Sequence, residues 1–429
     1  MPTFSPEAER STAPSSARAN QKSISTAPLR VALLTGGRDK PYALGLGPAL
    51  ADHGLALDFI GSDHVDGPEV RQHGRIRFFN FRNQALHAPL WTKMTRVLVY
   101  YLRLIAYAAQ SKASVFHILW NNKFEHFDRT LLILYYRLLG KRVVFTAHNV
   151  NVGKRDGNDS RFNRLTLRIQ YRLCHHVFVH THRMKQELLT EFGVPEAQAT
   201  VIPFGINNTL PNSALTRDQA RRELKLDSTD EVLLFFGNIA PYKGVSVLIE
   251  ALGKIAPTSP NLRLIIAGRT KGAEDYWKSV RQSIDAAGLS KIVHEHIEYI
   301  PDEKVEVFFK ASDVLVLPYT HVFQSGVLFL GYSFGLPVIA TDVGSLREEI
   351  IENRTGFVCA SENSAELARA IIQWKTSDLR REREACHADI LEYANNRYAW
   401  NSVGAITAKV YERLATDQTK QSMEFTAIP

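Results

Sequence analysis

Short apolar segments alternate with segments of helical periodicity along most of the chain. In the first half, the pattern predicts strands at 29–35, 56–60, 76–79, 115–119, 142–146 and 176–180. Between several of them it predicts helices at 42–53, 92–110, 128–139 and 160–173. Because helices separate the strands, we expect the strands to run parallel in a sheet that is covered on both faces.

The second half repeats this alternation. Strands are predicted at 232–236, 264–269 and 313–318, each short, apolar and bounded by turn residues, as buried parallel strands are. A chain of 429 residues exceeds the usual size of one hydrophobic core. We therefore predict two α/β domains, at 29–205 and 206–395, with a linker in the segment 201–215, which is rich in Pro, Gly and Asn.

The two ends of the chain have different patterns. Residues 1–28 are rich in Ser, Ala, Thr and Pro and contain no continuous apolar run, which predicts a disordered tail rather than a signal peptide. Residues 379–414 have helical periodicity, with Trp400 and Tyr411 as large apolar anchors. A short tail is predicted at 417–429.

Two glycine-containing turns carry the strongest chemical signal. The first is FFGNIAPYKG at 235–244, and the second opens the segment QSGVLFLGYSFGLPVIA at 324–340. Each follows an apolar strand and precedes a helix, where backbone amides and the helix N-terminus favour a phosphate. We therefore predict a nucleotide diphosphate site from these turns, formed by Gly237, Asn238, Lys243, Gly244, Gln324, Ser325, Gly326 and Val327.

The order of the motifs resembles that of the family 4 glycosyltransferases. The resemblance runs from about residue 30 to residue 411 and also includes IIAGR, ASDVLVLPY, GLPVIATDVGSLREEI, TGFVC, VVFTAHNV and VIPFGINN. It implies the GT-B fold, an α/β architecture of two facing, Rossmann-like, doubly wound domains. In that fold a C-terminal helix, here predicted at 396–416, crosses back to the first domain.

The resemblance also implies an activity. Family members transfer a sugar from a nucleotide-sugar donor to a saccharide or lipid-linked acceptor with retention of anomeric configuration. We expect a role in cell-surface or exopolysaccharide assembly, with the nucleotide sugar as co-substrate, no cofactor and no metal. No Asp-x-Asp pair and no His or Cys cluster with metal-ligand spacing occurs in the chain.

The donor-site cations differ from the family pattern. Lys243 is the leading phosphate ligand, and the resemblance gives it a catalytic role in neutralising the leaving diphosphate. The family has an arginine a few residues earlier, where this chain has Asn238 and Ala240. Arg269 and Arg347 are candidate substitutes, and an exposed helix-start lysine without a ligand is the alternative for Lys243.

A pair of glutamates in the family is also replaced. One lies near the donor sugar and the other holds the ribose hydroxyls, and the aligned positions here are Val322 and Leu330. Glu348 and Glu349 are the candidate replacements, with Glu348 assigned to the donor site. The alternative is that both carboxylates only solvate a helix.

In the first half, His148 follows an apolar strand, and the resemblance places it beside the donor sugar as a catalytic residue. Its alternative is a core or helix-capping histidine. Residues that follow other strands are assigned to the acceptor, and they are Gly36, Gly37, Trp120, Asn121, Asn122 and Asn149. Trp120 is equally consistent with a plug of the domain core.

Charge is unevenly distributed along the chain. Residues 89–185 contain seventeen Lys or Arg and four Asp or Glu, whereas the net charge of the whole chain is +8. An apolar stripe in the same region includes Leu98, Leu102 and Leu104. This pattern predicts either contact with a membrane surface or a buried helix with solvated charges. Nucleic acid is not expected, because no nucleic-acid-binding motif is present.

The remaining expectations concern location and activity. Three widely separated cysteines indicate a reducing compartment, so we predict a cytoplasmic protein, soluble or peripheral on the inner face of the membrane. The missing glutamates leave an alternative function open. In that alternative, the protein is a catalytically inactive GT-B scaffold or binding subunit of a glycan-assembly complex.

Overall fold

The computed structural model describes residues 28–36, 40–83, 90–155, 159–206, 212–270, 272–322 and 324–426. The strands in these residues are β1 Arg30–Leu34, β2 Ala56–Ser62, β3 Ile76–Arg82, β4 Val115–Ile118, β5 Arg142–Thr146, β6 His176–Val179, β7 Ala199–Val201, β8 Glu231–Phe236, β9 Leu262–Ala267, β10 Val293–His296, β11 Val314–Leu317, β12 Val338–Thr341 and β13 Gly356–Cys359.

The helices are α1 Lys40–Asp52, α2 Pro68–Arg71, α3 Leu90–Gln110, α4 Glu125–Phe127, α5 Ile133–Leu138, α6 Val152–Arg155, α7 Arg161–Leu173, α8 His182–Phe192, α9 Arg217–Glu223, α10 Val245–Ile255, α11 Glu274–Ala286, α12 Asp302–Ala311, α13 Gly326–Ser333, α14 Leu346–Glu349, α15 Ser364–Thr376, α16 Asp378–Arg381, α17 Arg383–Tyr398 and α18 Trp400–Thr426. A π-helical turn, Asp128–Leu132, joins α4 to α5.

The strands form two sheets that are parallel throughout. The first has the order β3-β2-β1-β4-β5-β6-β7 and the second the order β10-β9-β8-β11-β12-β13. In each sheet the chain winds outward in one direction and then in the other, so the order reverses between β1 and β4 and between β8 and β11. Ligand crevices form at such reversal points, outside the carboxyl ends of the strands.

The last helix joins the two domains. Trp400, at the start of α18, packs against Gly45 of α1 and Gly205 of the linker. Further along α18, the hydroxyl of buried Tyr411 bonds Nδ1 of His117 on β4. The C-terminal helix therefore crosses back to the first domain, and the predicted GT-B fold class is confirmed.

The structure refines the predicted ends of the chain. The helix predicted at 379–414 is wrong as one element, because it is divided into α16, α17 and α18. The second break falls at Ala399, whose φ of −58° and ψ of 136° are not helical. The crossover helix predicted at 396–416 corresponds to α18, which extends to Thr426, so part of the tail predicted at 417–429 is helical. The tail predicted at 1–28 lies outside the described residues except for Pro28.

Candidate active site

Three strand ends of the second domain meet at the predicted donor site. Gly268 follows β9 with φ +145°, and a Cβ there would lie 2.0 Å from the carbonyl oxygen of Gly237, which follows β8. Gly244 has φ +66°, and a Cβ there would lie 1.8 Å from the carbonyl oxygen of Pro318, which follows β11. Only glycine allows these approaches, so the turns after β8, β9 and β11 close onto one another.

Lys243 lies on the face of a buried aromatic ring. Its Nζ is 3.9 Å from the ring centroid of Tyr319, which follows β11. The Tyr319 hydroxyl is 3.3 Å from Oγ of Ser325. The ring therefore connects the ammonium group of the first glycine turn to the start of α13, and a cation–π contact of this kind stabilises the ammonium where it lies.

The start of α13 provides the second positive group. Ser325 is the N-cap, and Gly326 and Val327 begin the helix, so their amides have no acceptor within it. Next to them, both side-chain amide atoms of Gln324 are buried without a hydrogen-bond partner among the described residues. Val327 also lies beside Gly237. A ligand here would meet free donors together with the dipole of α13.

The other two predicted cations each contact a different side chain. Arg269 follows β9, is exposed, and has its guanidinium 5.4 Å from the ring centroid of Tyr299. Arg347 pairs with Asp342 at 2.7 Å. Asn238 is exposed at the turn after β8, one residue past Gly237.

The two candidate glutamates have different environments. Glu349 is buried, and its Oε2 accepts a 2.5 Å hydrogen bond from the hydroxyl of Tyr398. Burial raises the pKa of this carboxyl group above its usual value. Glu348 is exposed at the domain interface, where its Oε2 accepts a 3.3 Å hydrogen bond from the backbone amide of His182 in the first domain. Glu348 therefore lies at the cleft, whereas Glu349 is part of the second-domain core.

In the first domain, His148 is held by aromatic and histidine neighbours. Its ring stacks on Trp120, with centroids 4.0 Å apart and planes 2° apart. Its Nδ1 is 3.0 Å from Nε2 of His180, and Nδ1 of His180 is 3.2 Å from the carbonyl oxygen of Ile202. Trp120 thus packs against the core and also against the candidate catalytic residue.

This chain of contacts fixes the tautomer of His148. A carbonyl oxygen only accepts, so His180 donates from Nδ1 to Ile202 and accepts at Nε2 from Nδ1 of His148. Burial lowers the pKa of His180 to about 4 and that of His148 well below its usual value, so both rings are neutral near pH 7. Nε2 of His148 is buried without a partner at hydrogen-bonding geometry among the described residues, and the backbone of Leu119 opposes part of the lowering of the His148 pKa.

A cavity of about 210 Å³ lies beside His148. Asn121 and Asn149 line it with Trp120, and helices α4 and α7 form its outer wall. The Asn121 side chain exchanges long hydrogen bonds, 3.3 and 3.4 Å, with Gln170. Arg129 also lines the cavity, and its Nε is buried without a partner among the described residues.

Two other predicted acceptor residues have different surroundings. Asn122 does not line this cavity, because its side-chain oxygen accepts a 2.6 Å hydrogen bond from the hydroxyl of Tyr100 on α3. Gly36 follows β1 and approaches the backbone of Trp120, where a Cβ would lie 2.7 Å from the carbonyl oxygen. Gly37 lies outside the described residues.

A second cavity, of about 480 Å³, lies between the domains. Residues of α8 line one side, and the segment 342–345 with His321 and Val322 lines the other. Arg183 spans the same interface, with Nη1 3.2 Å from the carbonyl oxygen of Gly344. In the part of the chain that the structure describes, no group of three or more His, Cys, Asp or Glu is arranged to hold a metal ion.

Sequence reasoning missed two residues of this site. Tyr319 was part of a recognised motif, but only the fold places its ring under Lys243. His180 had a usable signal, because the parallel register of β5 and β6 pairs Thr146 with Phe178 and so extends to His148 opposite His180. A strand-pairing prediction would therefore have found His180.

Comparisons with known proteins agree with this architecture. A family model for glycosyltransferase family 4 matches residues 41–210, and a model for glycosyl transferases group 1 matches residues 216–388. The D-inositol 3-phosphate glycosyltransferase of Corynebacterium glutamicum (strain R) is 27% identical over 237 residues, which cover 54% of this chain and 56% of that protein. The match thus spans little more than half the length of this relative.

Two solved structures show the same fold over nearly the whole chain. Sucrose-phosphate synthase from Thermosynechococcus elongatus matches with a TM-score of 0.69 and 19% identity, covering 90% of this chain and 99% of that one. Anabaena HepE in complex with UDP matches with a TM-score of 0.68 and 17% identity, covering 90% and 99%. Both halves of the chain match glycosyltransferase models, and the strand order, facing domains and crossover helix agree with them. The chain therefore belongs to the family 4 glycosyltransferases, of the group 1 type and GT-B fold.

Proposed function

We propose that this protein transfers a sugar from a nucleotide-sugar donor to a saccharide or lipid-linked acceptor with retention of anomeric configuration. The observation that carries the proposal is the arrangement at Tyr319, which holds the Lys243 ammonium and the start of α13 on one buried ring. These two positive groups suit the two negative phosphates of a nucleotide diphosphate.

The donor would bind in the second domain. Its diphosphate would contact Lys243 and the amides of Gly326 and Val327, with Gln324 and Ser325 as side-chain donors. Gly237, Asn238 and Gly244 would form the backbone wall, while Arg269 and Glu348 would contact the outer part of the donor. Charge neutralisation would then come from the protein alone, without a metal ion. A related fold, Anabaena HepE, is described in complex with UDP-glucose, which supports a donor of this class.

The first domain would supply His148 and the residues that hold the acceptor. His148 would accept a hydrogen bond from a sugar hydroxyl at Nε2, which is buried and has no hydrogen-bond partner among the described residues. Trp120, Asn121, Asn149 and the glycine turn after β1 would border the acceptor. Closing the domains would exclude water from the anomeric carbon, which favours transfer over hydrolysis.

We also propose a cellular setting. Among the described residues, no helix is long and apolar enough to cross a membrane. The excess of basic residues in the first domain supports a cytoplasmic protein that is peripheral on the inner face of the membrane, where it would meet a lipid-linked acceptor. The role would be in surface glycan or exopolysaccharide assembly, with no nucleic acid as partner.

One observation favours a second candidate function. Leu330, which occupies the position of a family glutamate, is 8% exposed and packed in the second-domain core. An apolar residue there cannot hold ribose hydroxyls, and Val322 likewise replaces the carboxylate near the donor sugar. A catalytically inactive GT-B scaffold or binding subunit of a glycan-assembly complex is consistent with this loss.

Calorimetric titration separates the two functions. UDP, GDP, ADP and their sugars would be titrated into the protein without added metal and again with EDTA. Selective binding that EDTA leaves unchanged, followed by release of the free nucleotide when an acceptor extract is added, supports the transferase. If no nucleotide binds, the transferase proposal fails and the scaffold is favoured.

A further inference from the structure

The exposed apolar side chains of the described residues are concentrated on one surface. Twelve of the sixteen large hydrophobic residues that are exposed lie between residues 91 and 165. The twelve are Trp91, Met94, Leu98, Val99, Leu102, Phe124, Leu131, Leu134, Leu138, Leu139, Phe162 and Leu165. Isolated exposed hydrophobic residues are ordinary, but a concentration of this kind indicates an interaction surface.

Helices α3, α5 and α7 carry nine of these twelve residues, and the other three lie just before α4, in the π-helical turn and just after α5. Their inner residues, such as Leu104, Ile133 and Leu167, belong to the same buried core cluster on one face of the first sheet. The hydroxyl of Tyr135 on α5 donates to the carbonyl oxygen of Ile105 on α3, and α5 also packs against α7. The three helices therefore lie side by side, and their outward residues form one surface, which we call the outer helix layer.

The apolar stripe predicted from the sequence of α3 is partly buried and partly exposed in the structure. Tyr101 and Leu104 point into the core, whereas Leu98 and Leu102 are 60% and 57% exposed. The helix is therefore apolar on two faces, and only one of them is covered by the fold. Leu131 of the π-helical turn and Leu134 and Leu138 of α5 continue the exposed stripe at spacings of three and four residues.

The charge on this layer is of one sign. None of the helices α3, α5 and α7 contains an acidic residue. Exposed arginines lie among the apolar residues, and they are Arg103, Arg137, Arg161, Arg164, Arg168 and Arg172. Among the described residues, Arg137, Arg168 and Arg172 have no ion-pair partner. A protein partner of mixed charge would leave this excess unneutralised, whereas an anionic lipid surface neutralises it and covers the apolar side chains.

We propose that the outer helix layer is the surface by which the first domain docks on an anionic lipid bilayer. The proposal rests on the membrane location suggested above and specifies its contact residues and lipid chemistry. Leucine and aromatic side chains would enter the boundary between headgroups and acyl chains, and the arginines would contact lipid phosphates. Helices α4 and α7 also line the cavity beside His148, so a lipid-linked acceptor could present its headgroup there without leaving the bilayer.

Vesicle sedimentation of the full-length protein tests the proposal. The vesicles would contain phosphatidylcholine alone or mixed with phosphatidylglycerol, at low and high salt. The variants would be L98E/L102E on α3 and R168E/R172E on α7, all at exposed positions. The control is Ile372→Glu, which puts one glutamate at a 47% exposed aliphatic position of the second domain. We expect wild type and control to sediment with anionic vesicles, and the apparent affinity of both double variants to fall about tenfold or more.

The outcomes separate this proposal from the others. If wild type fails to sediment with anionic vesicles, both the membrane location and the docking surface are overturned. If it sediments but the double variants match it, only the assignment to the outer helix layer fails. Equal binding to neutral vesicles overturns the role of the arginines.

A concentration-dependent dimer that L98E/L102E abolishes, without lipid binding, makes the layer a protein interface. Nucleotide titration of the same samples tests the transferase function independently.

Discussion

The ammonium group of Lys243 lies 3.9 Å from the centre of the Tyr319 ring. Lys243 ends the turn after β8, and Tyr319 follows β11, the neighbouring strand at the reversal point of the second sheet. The ring is fully buried and its hydroxyl reaches Ser325 at the start of α13. The position of the Lys243 ammonium group is therefore determined by a buried ring at the end of the neighbouring strand.

Lys243→Ala is expected to weaken binding of a nucleoside diphosphate about 10- to 100-fold, because a charge-assisted contact to phosphate is lost. Tyr319→Phe keeps the ring under the ammonium and should retain most of the affinity. Lys254→Ala, at an exposed position of α10, is the matched control. Calorimetry would measure all three, and unchanged affinity in Lys243→Ala would remove Lys243 from the donor site.

His180→Phe is expected to impair His148 without affecting donor binding. The substitution keeps an aromatic ring but removes the acceptor that fixes the His148 tautomer. We expect kcat to fall about tenfold while nucleotide affinity stays constant, as for loss of one oriented hydrogen bond. The acid limb of the rate profile should also move to higher pH, because the neighbouring His180 contributes to the low pKa of His148.

The control for this experiment is the same substitution at His176, at the other end of β6. His176 is also buried but bonds Thr200, away from the cleft. If His176→Phe and His180→Phe reduce kcat equally, with no change in pH profile, then His180 acts only through stability and its positioning role is refuted.

Gly45→Ala is expected to destabilise the crossover helix. A Cβ at Gly45 would lie 2.0 Å from the Trp400 ring, so the indole must move. Overpacking of this kind costs about 1–3 kcal/mol, which outweighs the gain of about 0.5–1 kcal/mol from alanine in a helix. Gly253→Ala on α10 is the control, since its Cβ would meet only Ala287 at 4.0 Å. Denaturant unfolding should show opposite signs for the two variants, and equal signs would contradict the packing of Trp400.

Acid should destabilise the fold below pH 6.5. Burial lowers the pKa of His176 and His180 from 6.5 to about 4, and that of His117 to about 3. The unfolded chain therefore binds more protons, so this stability is present above pH 6.5 and is lost as pH falls toward 4. Asp128 has the opposite effect, because burial raises its pKa to about 6.

Thermal unfolding between pH 7.5 and 4 measures this effect. Buried histidines with a lowered pKa outnumber carboxyl groups with a raised pKa. The melting temperature should therefore fall as the pH is lowered across this range. Asp128→Asn should make the fall steeper, because it removes the opposing contribution. A melting temperature that is constant from pH 6.5 to 4.5 would contradict the neutral, buried state of these histidines.

The sequence by itself determined the alternation of strands and helices, the two parallel sheets and the glycine turns. These follow from local properties, namely the apolar period of each segment and the freedom of glycine at Gly237 and Gly244. The resemblance to family 4 glycosyltransferases then supplied the GT-B arrangement and the crossover helix. The single helix predicted at 379–414 was wrong, because the chain turns at Ala399, where packing of Trp400 on the first domain overrides local periodicity.

Only the tertiary structure decided which side chains meet. Lys243 and Tyr319 are more than seventy residues apart in sequence, and His148 and His180 follow different strands, so their contacts depend on strand order and register. The structure also separated Glu348, at the cleft, from Glu349, in the core, although they are adjacent in the chain. The same reason applies to α3, since periodicity identifies its apolar faces but only packing determines which face the sheet covers and which remains exposed.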